Sequence, residues 1–332
     1  LSVLLSLRHH LLHLQFDRFS CQSVVFPLPT LILTIMEPLI FKEIPPSAAL
    51  SRHIECYWQA TFQLCQSQEA LCSLPPQGTF DLVFNSKTVS LYQYDGHHYR
   101  QQKLKPGCWL LGQQTRSYYW QAASQANLYG IRIKPFALFS SKAIAAPELK
   151  NAVVNLKAVG REANEDIERL LIVLSDSQSQ PFTLDHLHPF AERISLKLFN
   201  DSLQTPLPSR ILSNVIMLQR GNLRLTELCA QFDIGKVTLR HKFLTDIGLL
   251  PKELCKVWRL NNFLLLKQHQ PQLSLTELGL QAGYYDQAHL IREFKATFPL
   301  TPARYFKHPA RLSASTAGQI HRRFNRQYAP FS

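Results

Sequence analysis

Seven cysteines are present, Cys21, Cys56, Cys65, Cys72, Cys108, Cys229 and Cys255, but their number is odd and no Cys-x-x-Cys occurs. No paired histidines complete a zinc pattern, so neither a disulfide framework nor a structural metal is expected, and a reducing, cytoplasmic setting fits. Metal binding or oxidant sensing by Cys56, Cys65 and Cys72 ranks below scattered buried thiols. Also missing are a phosphate-cradling glycine-rich loop and a nucleophile elbow. His97 and His98 are adjacent, so on an extended strand they point opposite ways and make a poor metal pair. Nothing fixes Glu55 and Asp81 as an acid/base couple. The chain therefore reads as a non-enzyme with no cofactor and no metal.

Long apolar runs are lacking as well. Nothing is long enough to span a bilayer, so no membrane partner is expected. The first methionine is Met36, and residues 1–35 mix apolar residues with His9, His10, His13, Arg8, Asp17 and Arg18. That mixture lacks the continuous apolar core and small-residue cleavage site of a signal peptide. Residues 1–35 are read as an unstructured or untranslated extension, ahead of a short amphipathic anchor.

Acidic residues are scarce in one part of the chain only. Residues 36–205 carry 16 Lys/Arg against 15 Asp/Glu, residues 206–307 carry 14 against 7, and residues 308–332 carry 4 against none. A generic solubilising charge would be spread evenly. This excess sits on the C-terminal third, where phosphates would be met.

That third says the same thing twice. Leu225-Thr226-Glu227-Leu228 recurs as Leu275-Thr276-Glu277-Leu278, an offset of 50. Leu239, Phe243, Leu249 and Pro251 recur as Leu290, Phe294, Leu300 and Pro302, an offset of 51. One residue has been added between the two anchor sets, where a turn belongs. Each copy reads as helix, short turn, helix. The first turn falls at Asp233-Ile234-Gly235 and the second at Gly283-Tyr284-Tyr285, with Asp286 able to cap the helix that follows. Burying Leu239 and Phe243 leaves Lys236, Val237, Arg240 and His241 facing outward. Burying Leu290 and Phe294 leaves Gln287, Ala288, Ile291 and Arg292 in the equivalent positions. Two helices at a tight angle, the second with an exposed polar face, form the helix-turn-helix arrangement that lays a helix in a major groove. A hairpin repeated for packing alone does not call for a basic outward face in both copies. Between the copies, Pro251 to about His269 reads as one helix, stopped by Pro271 and roughly 28 Å long. Arg259 and Lys267 on it are expected to stay available to phosphate.

The run Gly283-Tyr-Tyr-Asp-Gln-Ala-His-Leu-Ile-Arg-Glu-Phe-Lys295, followed by Phe298-Pro-Leu-Thr-Pro-Ala-Arg-Tyr305, closely resembles the signature of AraC/XylS-type transcription regulators. The resemblance covers residues 206–307. Two positions depart from the pattern: Gly235 stands where a capping serine is common, and Pro299 where a glycine usually closes the helix. The resemblance implies a sequence-specific DNA-binding regulator, more often an activator. Its implied partners are double-stranded DNA, with RNA polymerase, a small-molecule effector and a second copy of the chain as further candidates. It also places base reading on Arg240, His241, Gln287 and Arg292, with Val237, Ala288 and Ile291 in apolar contact and Lys236 beside them. His289, next to the buried Leu290, reads as structural. The alternative is an architectural DNA-binding protein whose N-terminal part is only an interaction module.

Upstream, the pattern changes to strands. Phe80, Leu82 and Phe84 share one face of a strand. Ile131 and Ile133 alternate with Arg132 and Lys134 on another, which Pro135 ends. Turn signals fall at Pro75-Pro76-Gln77-Gly78, Asp95-Gly96 and Pro106-Gly107. This segment looks like the β-rich N-terminal domain of the same family, which implies effector binding, dimerisation or both. Trp58, Trp109, Tyr118, Tyr119 and Trp120 read as core ahead of an apolar ligand pocket. From Arg161 the period becomes helical: Ile167, Leu170, Leu171 and Leu174 mark one helix, and Leu184, Leu187, Ile194 and Leu198 a second. Both suit a dimer interface or packing on the sheet.

The expected fold class is α+β: a β-rich domain over residues 36–150, a helical linker over 151–205, and an all-α domain over 206–307 holding two helix-turn-helix motifs joined by a long helix. Residues 308–332 are expected to form a basic, disordered tail whose Arg322, Arg323 and Arg326 add phosphate contacts.

Overall fold

The computed structural model describes residues 40–62, 70–122, 125–137, 145–156, 161–176, 182–199 and 207–307. The readings made for residues 1–35 and 308–332 lie outside that set, as do Cys21 and Cys65.

Ten strands form two antiparallel sheets: β1 (Ile40–Ile44), β2 (Ile54–Phe62), β3 (Ala70–Leu74), β4 (Phe80–Asn85), β5 (Val89–Tyr94), β6 (Tyr99–Leu104), β7 (Gly107–Leu111), β8 (Tyr118–Ala122), β9 (Ala126–Ile133) and β10 (Val153–Asn155). One sheet runs β1-β2-β9-β4-β7-β10, the other β3-β8-β5-β6. The last strand of the larger sheet comes from residues 153–155, past the expected edge of the β-rich domain at 150.

Every residue of β4 is buried because both faces of its sheet are covered. Phe80, Leu82 and Phe84 face a core shared with helices, while Val83 faces the second sheet. Those helices are α1 (Arg161–Asp176) and α2 (Leu184–Phe199), which pack on each other and on β1, β2, β4, β7 and β9. Ile167, Leu170, Leu174, Leu184, Leu187 and Ile194 are buried in this layer. The two helices are thus a cover for the sheet rather than a free connector between domains. Asp166 anchors the pair, lying 2.6 Å from Lys197 Nζ and 3.3 Å from Arg193 Nε.

The rest of the described chain is helical: α3 (Leu207–Leu218), α4 (Leu225–Gln231), α5 (Lys236–Ile247), α6 (Pro251–His269), α7 (Leu275–Gln281), α8 (Gln287–Thr297) and α9 (Pro302–Phe306). Helices α4 and α5 are one helix-turn-helix, α7 and α8 the other, and α6 joins them. The first turn spans residues 232–235 and the second 282–286, which accounts for the added residue in the repeat. Around the second motif, Phe263, Tyr284, Phe294, Phe298, Tyr305 and Phe306 pack in edge-to-face and tilted pairs at centroid distances from 4.7 to 6.3 Å. Aromatic pairs in this geometry add about 0.5–1.5 kcal/mol each beyond their burial.

The β-rich part and the helical part share one contiguous core. Lys150 Nζ lies 2.6 Å from Glu253 Oε1, and Glu253 Oε2 also accepts the backbone N–H of Leu250 at the start of α6. Asn261 Nδ2, in the middle of α6, donates to the carbonyl of Pro76 at 3.1 Å. At the end of α5, Gly248 adopts φ +79, and a Cβ there would come within 2.4 Å of the Ala146 carbonyl oxygen. Only glycine meets both demands.

Candidate nucleic-acid interface

Each motif presents its second helix amino end outward. On α5, Leu239, Phe243 and Ile247 are buried, which turns Lys236, Val237, Arg240 and His241 to solvent. Val237 is 82% exposed, a large apolar surface left uncovered. On α8, Leu290, Phe294 and Thr297 are buried, and Gln287, Ala288 and Arg292 are exposed, with Ile291 half-buried beside them. The structure thus brings the expected residues of each helix onto one outward face. Both amino ends sit in extended backbone, Gly235 before α5 and Asp286 before α8. Asp286 caps α8, accepting the backbone N–H of His289 at 2.6 Å. Gly235 provides no side-chain cap, so α5 starts with more unsatisfied donors, a difference of a few tenths of a kcal/mol relative to Ser.

His289 is structural. Its Nδ1 accepts the backbone N–H of Tyr285 at 3.2 Å, which places the ring proton on Nε2, 3.2 Å from Glu293 Oε1. Glu293 in turn lies 3.3 Å from Arg259 Nη1 and 3.6 Å from Lys256 Nζ, both on α6. Arg259 also donates to the Gly221 carbonyl at 3.1 Å and lies over the Tyr284 ring. The expectation that Arg259 stays available to phosphate is therefore corrected: it is mostly buried and holds α8 against α6. Lys267 is engaged too, donating to the carbonyls of Pro271 at 2.7 Å and Leu273 at 3.5 Å. In both cases the helix period predicted which face the residue occupies but not the neighbour that face meets.

Two kinds of residue escaped the sequence reading. Tyr285 stands 87% exposed beside the start of α8, while the adjacent Tyr284 is buried. The Gly-Tyr-Tyr turn gave no sign of which ring would face out. Gln113 and Ser117, far upstream, donate to the carboxyl ends of α5 and α8: Gln113 Nε2 to the Ile247 carbonyl at 2.9 Å, and Ser117 Oγ to the Thr297 carbonyl at 2.9 Å. No local pattern announces contacts across such sequence distances.

Within the sandwich, Arg132 is buried on the face of its strand opposite Ile131 and Ile133. Its face of β9 meets the second sheet, and Arg132 Nε lies 3.0 Å from Asp81 Oδ1 and Nη1 3.4 Å from Glu43 Oε1. Burial opposes its charge, but the carboxylates of Asp81 and Glu43 outweigh it and hold the guanidinium protonated. Trp58 Nε1 adds a 2.8 Å bond to Asp81, so this carboxylate is a structural acceptor. Beside it, Phe41, Trp58, Phe62, Tyr118 and Trp120 line a cavity of about 20 Å³, room for a water molecule and little else. These aromatics are core. Burial pushes the Cys56 and Cys108 thiols up, which leaves them inert. Among the described residues, no group of His, Cys, Asp and Glu is placed to hold a metal ion, and no helix is long and apolar enough to cross a membrane.

Two solvent-facing polar helix ends, each with an outward arginine, on paired helix-turn-helix units point to DNA binding. Residues 228–308 match the family described as "Helix-turn-helix domain", so this part of the chain is a helix-turn-helix DNA-binding domain, as the resemblance to AraC/XylS-type transcription regulators implies. Residues 42–155 match a second family, described as "Domain of unknown function (DUF6597)". No curated protein matches the sequence. Among solved structures, ToxT from Vibrio cholerae aligns at 13% identity and a TM-score of 0.43, covering 76% of this chain and 98% of that one. ToxT from Vibrio cholerae O395 gives the same identity and score over 78% and 98%. A similarity of that strength carries no functional weight.

Proposed function

We propose that the chain activates transcription by reading a bipartite DNA site with both recognition helices, tuned through its N-terminal domain by a small effector or by dimerisation. The observation that carries this reading is the matched outward face of Lys236, Val237, Arg240 and His241 on α5 and of Gln287, Ala288 and Arg292 on α8, with Ile291 half-buried at its edge. Arg240 and Arg292 suit bidentate bonding to guanine, and Gln287 to adenine. Val237 and Ala288 suit the thymine methyl, and Lys236 the phosphates. Tyr285, exposed beside Gln287, is placed to reach the DNA backbone with its hydroxyl. RNA polymerase is the proposed protein partner. Tuning through the N-terminal domain is supported by that domain's direct bonds to both recognition helices.

The test is transcription in vitro from a template carrying the site that the chain selects. More transcript on adding the full chain supports the activator. Less makes it a repressor. No change, with the site occupied, favours the architectural alternative.

A further inference from the structure

Both recognition helices end on the same short loop. Between β7 and β8, Gln113 Nε2 donates to the carbonyl of Ile247, the last residue of α5. Four residues on, the backbone N–H and Oγ of Ser117 both donate to the carbonyl of Thr297, the last residue of α8, at 3.0 and 2.9 Å. The final carbonyls of a helix have no donor within it and carry the negative end of its dipole, so outside donors there are favourable.

The two helices need those donors for different reasons. Gly248, left-handed after α5, directs its N–H to the carbonyls of Phe243 and Leu244, leaving that of Ile247 to Gln113. After α8 no left-handed residue follows: Phe298 is extended, its N–H goes to Phe294, and Pro299 has no N–H to offer. The Thr297 carbonyl is met from the β-rich domain instead. The departure at Pro299 thus coincides with a cap supplied by Ser117.

The loop is braced. Asn151, at φ +55, accepts the Thr115 N–H on its Oδ1 at 2.8 Å, and its own N–H donates to the Gln113 carbonyl at 2.9 Å. Gln93 Nε2 ties Gln114 Oε1 and the Asn151 carbonyl together, at 2.9 and 3.1 Å. Four residues of chain span at most about 14 Å. With the reach of the Gln113 side chain, the carboxyl ends of α5 and α8 are fixed roughly 25 Å apart or less, inside the groove repeat of about 34 Å that their amino ends must meet.

We infer that Gln113 and Ser117 are positioning residues for DNA reading: by holding the carboxyl ends of both recognition helices, residues 112–117 set the spacing between the two DNA motifs that the chain accepts. Helix α6 is one strut between the readers and this loop is the second. The inference rests on both helices reading DNA, as proposed above. Its signature is specific. Weakening the loop relaxes spacer choice without changing which bases are read.

The test compares the full-length wild type with Gln113→Leu/Ser117→Ala on DNA carrying the two selected motifs with spacers of graded length. The expected result is that preference for the best spacer over its neighbours falls by about 3–10-fold, as expected for weakened hydrogen bonds, while base preferences within each motif stay the same. Ser117→Thr, which keeps the hydroxyl, should retain the wild-type profile. Coincident profiles for wild type and double variant overturn the inference and leave the bipartite reading standing. A wild type that reads one motif only, or shows no spacer preference, removes the reading on which it rests. Should the double variant not fold, hydrogen exchange on the wild type decides. The Ser117 amide should stay protected on the preferred spacer and exchange about tenfold faster on a spacer shortened by one base pair. Equal protection on both overturns the inference.

Discussion

The carboxylate of Glu293, on the second recognition helix, lies 3.3 Å from the guanidinium of Arg259 on the helix that joins the two motifs. Lys256 and His289 meet the same carboxylate. One acidic side chain therefore fixes the roll of α8 about its own axis, and with it the direction in which Gln287 and Arg292 point.

Glu293→Gln removes the charge that Arg259 and Lys256 both meet in a largely buried place. Hydrogen bonds to charged groups contribute about 1.5–3 kcal/mol, so discrimination at the motif read by α8 should weaken by up to that amount. Discrimination at the motif read by α5 should not change. Binding titrations on DNA altered in one motif at a time measure this, and equal loss at both motifs would contradict it.

Arg292→Ala should cost about 1–3 kcal/mol at one base position and relax specificity there. Competition with single-base variants of the site gives the answer. Uniform weakening across all sequences would instead assign Arg292 to the phosphate backbone.

Gly248→Ala imposes a left-handed conformation on alanine and drives its Cβ towards the Ala146 carbonyl. The left-handed strain alone costs about 1 kcal/mol, and the close approach adds to it. Thermal unfolding of the full chain should show clear destabilisation. A melting temperature equal to wild type would mean that the contact between α5 and the β-rich domain is easily given up.

The hairpin at Asp95 gives a pH signature. Burial raises its carboxyl, but the N–H groups of His98 and His97 and the Arg100 guanidinium together bring it down to about 2. A carboxyl depressed in the folded state, against about 3.9 unfolded, contributes stability that is full above pH 4 and lost as pH falls towards 2. Asp95→Asn should therefore flatten the fall in stability between about pH 4 and pH 2 and leave its slope at neutral pH unchanged. Superimposable acid limbs for the two proteins would refute the assignment.

Much of the DNA-binding architecture was legible because its signals are local. The change of offset from 50 to 51 located the longer second turn, Asp286 announced its cap, and Pro251 and Pro271 bracketed α6. What stayed hidden depends on neighbours distant in sequence. Strand alternation placed Arg132 opposite Ile131 and Ile133 correctly, but could not show that a second sheet covers that face. Helix period gave Arg259 a side, not the Glu293 waiting there. Gln113 and Ser117 are separated from their partners by 134 and 180 residues, and polar residues in a loop carry no periodicity at all.

The central claim, that both helices read sequence, is tested most directly by selection from random DNA with the full chain at two salt concentrations. Two short motifs about one helical turn apart, retained at the higher salt with reduced affinity, is the predicted outcome. Salt-sensitive binding that enriches no motif would contradict it and leave an architectural protein held by phosphate contacts alone.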